Sequence, residues 1–123
     1  MLSEKNIIGF IPSTNLNKSR IFYEEVLGLQ LLSIDEYVIE FKSSCNKLRI
    51  IKVDKIPSTE YTKFGWEVSN IIETTKEMRE RGINFIKYEG MPQDDDLICT
   101  FSTSKVVWFK DSDMNTLSLT QNI

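Results

Sequence analysis

The sequence predicts an α+β fold in which two βαβββ modules form one domain of 123 residues. Equivalent residues recur along the chain: Asn15 and Asn70 are 55 positions apart, and Leu48 and Leu117 are 69 positions apart. An offset that stays near 55 as far as Gly28 and Gly82 and then rises to near 69 indicates a duplication with one insertion, which falls in residues 89–104. Segments with alternating apolar residues surround one helical pattern in each half, which is typical of strands beside a helix.

The first module is expected to span residues 7–53. Ile7–Ile11 has the composition of a short strand, and we expect Pro12 to end its pairing because proline lacks the N–H. Asn15 is a good N-cap for the helix that follows, and Gly28 is a good C-terminal residue for it. Three further strands are predicted: Leu29–Ile34, Tyr37–Lys42 and Lys47–Val53.

The second module is expected to span residues 63–121, after a linker at 54–62 that contains a proline. Its helix, Ile71–Arg81, follows Asn70 as N-cap and ends before Gly82. The insertion carries Leu97–Phe101 as a possible extra strand. Four other strands are predicted: Lys63–Val68, Ile83–Tyr88, Lys105–Lys110 and Thr116–Thr120.

Composition excludes several classes of function. The net charge is -3, from 15 basic and 18 acidic side chains, so the chain has no general attraction to nucleic acid or to anionic membranes. No apolar run approaches the ~18 residues of a spanning helix, and we expect a cytoplasmic protein. Cys45 and Cys99 are far apart in sequence and form neither a CxxC pair nor a disulfide framework.

The chain contains no histidine, which excludes serine–histidine catalysis. The acidic run Asp94–Asp96 is expected to be a solvated loop, because no spaced ligand loop with a closing glutamate follows it, as a calcium site would need.

Two segments carry a family resemblance. Residues 11–29 resemble the strand, the capped helix and the Leu-Gly-Leu end of the vicinal oxygen chelate superfamily, which includes glyoxalase I, bleomycin-resistance and fosfomycin-resistance proteins, and extradiol dioxygenases. Residues 108–119 resemble its closing hairpin, with Ser112 and Met114 where the family pattern has Pro and Gly. The resemblance implies that the modules build a curved mixed sheet around a cup, with the helices outside, and that the protein is a homodimer.

The resemblance also implies where metal ligands would lie: Ile8, Arg49, Lys63 and Ser118. Relatives have His, Gln or Glu at these positions, whereas this chain has an alkyl group, two cations and a hydroxyl. A charged guanidinium or ammonium group has no lone pair to donate. We therefore expect no metal and no cofactor.

Strand alternation predicts which residues face the cup. Arg49, Lys63, Glu67 and Ser118 fall on the polar faces of their strands, while their neighbours in sequence are mainly apolar. Phe10 or Trp108 would supply an apolar wall, as would Tyr37. These residues predict a site for a small anionic or polar molecule. The alternative is a solvated or internally paired polar face that binds no ligand.

Three functions remain open from the sequence. The first is a metal-independent binding protein that sequesters a small molecule, as bleomycin-resistance relatives do. The second is a glyoxalase-like lyase or isomerase, either metal-free or with a rebuilt metal site. The third is a degenerate domain that acts in protein–protein association. The sequence identifies neither the ligand nor a catalytic residue, and it leaves open whether a cup closes within one chain or across two.

Overall fold

The computed structural model describes all 123 residues and contains two compact units, Met1–Ser58 and Thr59–Ile123. Each unit has one four-stranded mixed sheet and one main helix. The predicted α+β class and the two-module organisation are therefore confirmed. No helix in the structure has the length and apolar character needed to cross a membrane.

The first unit follows the predicted βαβββ order after a 3-10 turn at Leu2–Glu4. The strand order is β1-β4-β3-β2, in which β1 runs parallel to β4 and the other neighbours are antiparallel. Its elements are β1 (Ile8–Ser13), α1 (Leu16–Arg20), β2 (Gln30–Ile34), β3 (Val38–Ser43) and β4 (Asn46–Lys52).

Helix α1 begins as the sequence predicts, because the Asn15 side chain accepts a hydrogen bond from the backbone N–H of Lys18 at 3.2 Å. It does not continue as a regular α-helix. Residues Ile21–Val26 form a π-helix, a wider turn that accommodates an additional residue. Gly28 ends this segment with a φ of 77°, a left-handed conformation that glycine adopts without steric cost.

The prediction that Pro12 ends the first strand is wrong. Pro12 lies inside β1 and is paired in register with Ile51 of β4. Strand β1 is at the edge of its sheet and has β4 as its only neighbour. An edge strand tolerates a proline, because the missing N–H can point away from the paired strand.

The second unit repeats this topology with the order β5-β8-β7-β6, in which β5 is parallel to β8. Asn70 caps its helix as predicted, since its side chain accepts a hydrogen bond from Glu73 N at 3.1 Å. Gly82 follows the helix with a φ of 91°. The elements are β5 (Phe64–Glu67), α2 (Ile71–Glu80), β6 (Cys99–Thr100), β7 (Ser104–Lys110) and β8 (Thr116–Asn122).

The predicted strand Ile83–Tyr88 is wrong, because this segment makes only an isolated bridge from Phe85 to β7. The side chain of Gln93 instead forms hydrogen bonds with the backbone of this segment. Its amide oxygen accepts from Tyr88 N at 2.8 Å, and its amide nitrogen donates to Ile86 O at 2.9 Å. The insertion also pairs with β7, at another part of the same edge of the sheet. Leu97–Phe101 was predicted as a strand there, and only the shorter β6 forms.

Each sheet has one face packed against its own helix. In the first unit, Tyr23 is fully buried and its ring lies 6.0 Å from that of Phe41. In the second, Ile71 of α2 is buried and its N–H donates to the side chain of Gln121. The opposite side of each sheet is called its helix-free face. That of the first unit comprises Ile8, Phe10, Pro12, Val38, Glu40, Lys42, Lys47, Arg49 and Ile51, and that of the second Lys63, Gly65, Glu67, Val106, Trp108, Lys110, Thr116, Ser118, Thr120 and Asn122.

Candidate functional site

Arg49 is the central side chain of the helix-free face of the first unit. Strand register places it between Phe10 of β1 and Glu40 of β3. Its Nε lies 2.7 Å from Glu40 Oε2, and its guanidinium carbon lies 5.9 Å from the centre of the Phe10 ring. Phe10 is 60% exposed, so this arrangement combines a held cation with an accessible aromatic surface.

Glu40 was not identified from the sequence. The hydrogen bond from Arg49 lowers the pKa of the Glu40 carboxyl below its ordinary value. Desolvation by burial raises this pKa, while the nearby charges of Lys47 and Arg49 lower it further. Lys47 Nζ lies 3.8 Å from Glu40 Oε1. The sequence contained a signal for this cluster, since only four residues separate the predicted strands Tyr37–Lys42 and Lys47–Val53, a loop length that favours a hairpin.

The lowered pKa predicts how stability depends on pH. A carboxyl with a depressed pKa stabilises the fold above its unfolded pKa, which is about 4.3 for glutamate, and this contribution is lost as pH falls through the lower folded value. Glu40→Gln is therefore expected to destabilise the protein at pH 7 and to have a smaller effect at pH 3. Urea denaturation at both pH values measures this difference. Glu25→Gln, at an exposed position outside any ion pair, is the control. An equal loss for Glu40→Gln at both pH values would contradict the prediction.

Two lysines flank Thr116 on the helix-free face of the second unit. Lys110 Nζ donates to Thr116 Oγ1 at 2.6 Å, and Lys63 N donates to Thr116 O at 2.8 Å. The Lys63 ammonium group lies 4.5 Å from the centre of the Tyr61 ring. No carboxylate lies within ion-pair distance of either ammonium group. The positive charges of Lys63 and Lys110 are therefore not neutralised by an acidic partner, unlike the positive charge of Arg49.

The next row of the same face joins Gly65, Ser118 and Trp108 across three strands. Ser118 is buried directly beside Gly65, where an added Cβ would overlap the Ser118 carbonyl group and hydroxyl. Trp108 packs edge-on against Tyr88 with ring centres 5.4 Å apart. This row therefore consists of a residue without a side chain, a buried hydroxyl and an aromatic pair.

Glu67 lies one row further along β5, next to Thr120 of β8. Its carboxylate accepts a hydrogen bond from the side-chain amide of Asn122. Glu67 makes no ion pair with Lys63, although an internally paired polar face was one alternative from the sequence. The carboxylate is exposed and held in place by a neutral donor.

The predicted binding residues fall into two groups. Phe10 and Arg49 lie together in the first unit, and Lys63, Glu67, Trp108 and Ser118 share one sheet face in the second. Three residues beside them were not predicted from the sequence: Glu40, Tyr88 and Lys110. Lys110 could have been found by extending the alternation from Trp108, whereas Tyr88 was assigned to a strand that does not form.

The four positions that the resemblance assigns to metal ligands do not fit a divalent ion. Arg49 is engaged with a carboxylate, and Lys63 presents an ammonium group to an aromatic ring. Ile8 has no donor atom, which leaves the Ser118 hydroxyl as the only neutral oxygen among them. Elsewhere, no group of three or more Cys, Asp or Glu side chains is arranged to hold a metal ion.

Comparison of the fold with solved structures gives extensive matches at low sequence identity. A glyoxalase family protein from Bacillus anthracis matches with a TM-score of 0.75 and 16% identity, over 98% of this chain and 96% of that one. A glyoxalase family protein from Enterococcus faecalis matches with a TM-score of 0.71 and 21% identity, over 98% and 99%. These similarities concern the fold alone.

A third solved structure has the same fold. A glyoxalase/bleomycin resistance protein/dioxygenase from Alicyclobacillus acidocaldarius matches with a TM-score of 0.71 and 17% identity, over 98% of this chain and 92% of that one. A search of curated proteins finds no match. The model of the glyoxalase/bleomycin resistance protein/dioxygenase superfamily matches residues 8–119, which is most of the sequence. The chain therefore belongs to this superfamily, the vicinal oxygen chelate proteins.

Proposed function

We propose that this protein binds a small anionic or polar molecule on its helix-free faces and sequesters it without a metal ion. The distribution of charge carries the proposal. The chain has a net charge of -3, yet both faces carry more cations than carboxylates. Three cations and Glu40 lie on the first face, and two lysines and Glu67 lie on the second: Lys42, Lys47 and Arg49, then Lys63 and Lys110.

Apolar surface beside these cations supports the same proposal. Phe10 lies next to Arg49, and Trp108 is two residues from Lys110 on the same face of β7. Sites for small molecules usually combine an apolar wall with a few polar groups that fix orientation. A guanidinium fork and an ammonium point charge both suit a carboxylate or phosphate group.

Binding without turnover is supported by the kinds of side chain on these faces. The Ser118 hydroxyl has no histidine to activate it, because the chain contains none. The positions that carry metal ligands in relatives hold two cations here. A stoichiometric divalent metal in the purified protein, measured by plasma mass spectrometry, would contradict the metal-independent proposal and favour the glyoxalase-like enzyme.

Thermal shift measurements test binding directly. A panel of acetate, benzoate, citrate and phosphate is compared with chloride at equal ionic strength. A bound anion is expected to stabilise the fold by about 2.7 kcal/mol at 100 times its Kd. Arg49→Gln and Lys63→Gln each remove one positive charge, and at least one of them is expected to reduce the shift strongly.

Lys76→Gln is the matched control, because Lys76 is an exposed lysine on α2 outside both helix-free faces. An anion shift that persists in both Arg49→Gln and Lys63→Gln, or that falls equally in Lys76→Gln, would reject these faces as the binding surface. The homodimer and the cytoplasmic location implied above remain predictions. Light scattering after size exclusion tests the first, and fractionation of cells tests the second.

A further inference from the structure

We infer that the ligand of the second unit is a small zwitterion, with an anionic group at one end, a protonated amine at the other and an apolar or aromatic part between them. This inference rests on the proposed function and names the class of ligand. It follows from the positions of Lys63, Lys110, Trp108 and Glu67 on one sheet face.

The anionic end of the ligand is assigned to the part of the face around Thr116, between Lys63 and Lys110. Lys63 and Lys110 flank β8 on opposite sides, which separates their Cα atoms by two strand spacings, about 10 Å. Long side chains on both sides can reach one carboxylate or phosphate group placed between them. Their present partners are the Tyr61 ring and the Thr116 hydroxyl, both neutral, so an anion would not have to displace a carboxylate.

The cationic end is assigned to Glu67. This residue is four positions from Lys63 along β5, which corresponds to about 13 Å in an extended strand. Its carboxylate is exposed, accepts a hydrogen bond from Asn122 and makes no ion pair. The face is therefore electrically polarised along the strands, with two cations at one end and one carboxylate at the other.

The middle of the face suits an apolar group. Gly65 presents no side chain, and Ser118 beside it has a small buried side chain with one hydroxyl, so neither residue adds a bulky or charged group here. Trp108 and Tyr88 form the aromatic border next to it. A flat ring lying over Gly65 and Ser118 would extend towards Trp108 on the far side of β8, with its two charged ends directed towards the lysines and Glu67.

Isothermal titration calorimetry with 4-(aminomethyl)benzoate, benzoate and benzylamine tests the inference. The zwitterion is expected to bind about five-fold more tightly than benzoate, since one added exposed ion pair contributes up to about 1 kcal/mol. Lys110→Gln is expected to weaken binding of both carboxylates. Glu67→Gln is expected to bring the Kd of the zwitterion to within about two-fold of that of benzoate.

The controls are Lys76→Gln and Glu80→Gln, which change the same charges at exposed positions on α2. Equal affinity for the zwitterion and benzoate in the unmodified protein would overturn the inference, as would a preference that survives Glu67→Gln. In both cases, binding of benzoate would still support the proposed function. If none of the three compounds binds, the inference is also overturned, and the anion panel decides the proposed function separately.

Discussion

Phe109→Ala is expected to lower the free energy of unfolding by about 3–5 kcal/mol, because it removes a fully buried aromatic ring and leaves a cavity. The ring centre of Phe109 lies 5.8 Å from that of Phe85 and 6.4 Å from that of Trp66. Its loss therefore affects the helix-packed face of the second sheet and the single bridge that holds Phe85. Urea denaturation followed by circular dichroism measures the change.

Phe101→Ala is the matched control, since Phe101 is 44% exposed and a substitution there is expected to cost within about 0.5 kcal/mol. If Phe109→Ala does not fold, Phe109→Leu retains most of the apolar volume and still gives a measurable loss. Equal stability of the Phe109 and Phe101 variants would contradict the packing described for this sheet.

Gly65→Ala is expected to destabilise the protein by about 1–3 kcal/mol. An added Cβ would overlap the carbonyl carbon and oxygen of Ser118 as well as its hydroxyl. Backbone atoms cannot rotate out of the way as the end of a side chain can, so β5 would have to move away from β8. Thermal and urea denaturation of the variant measure the cost.

Gly9→Ala provides the matched control in the first unit, since Gly9 lies in β1, which pairs with β4 as β5 pairs with β8. A Cβ at Gly9 would lie 3.5 Å from Leu48 Cδ1 and 3.9 Å from Lys47 O, which are ordinary contacts. The change is expected to be within about 0.5 kcal/mol of neutral. Comparable losses for the two variants would show that the close approach at Gly65 is not the cause.

The fold was largely predictable because local signals agreed with the global pattern. Asn15 and Asn70 cap their helices as expected, since an N-cap requires only short-range hydrogen bonds. The alternation along β4 also gave the correct faces: Leu48 is buried, while Arg49 lies on the other side of the sheet. Local propensity and burial have to coincide for such predictions to hold.

The site was less predictable because it depends on pairings between distant residues. The partner of Arg49 is Glu40, and only the register of a hairpin reveals it. The failure at Ile83–Tyr88 has the same origin, since the side chain of Gln93 provides hydrogen bonds that a neighbouring strand would otherwise make. Nothing in the local sequence distinguishes such a glutamine from a solvated one.

The edge of the second sheet beside β7 also affects the tendency to aggregate. A long, regular edge strand offers a continuous row of unpaired N–H and C=O groups that a second chain can extend into an intermolecular sheet. In the second unit, two short contacts at Phe85 and β6 occupy this edge instead of one strand. In the first unit, β2 carries a register shift between Leu31 and Ser33 that interrupts its ladder. Each sheet thus has one irregular edge, which is a poor template for fibre growth on that side.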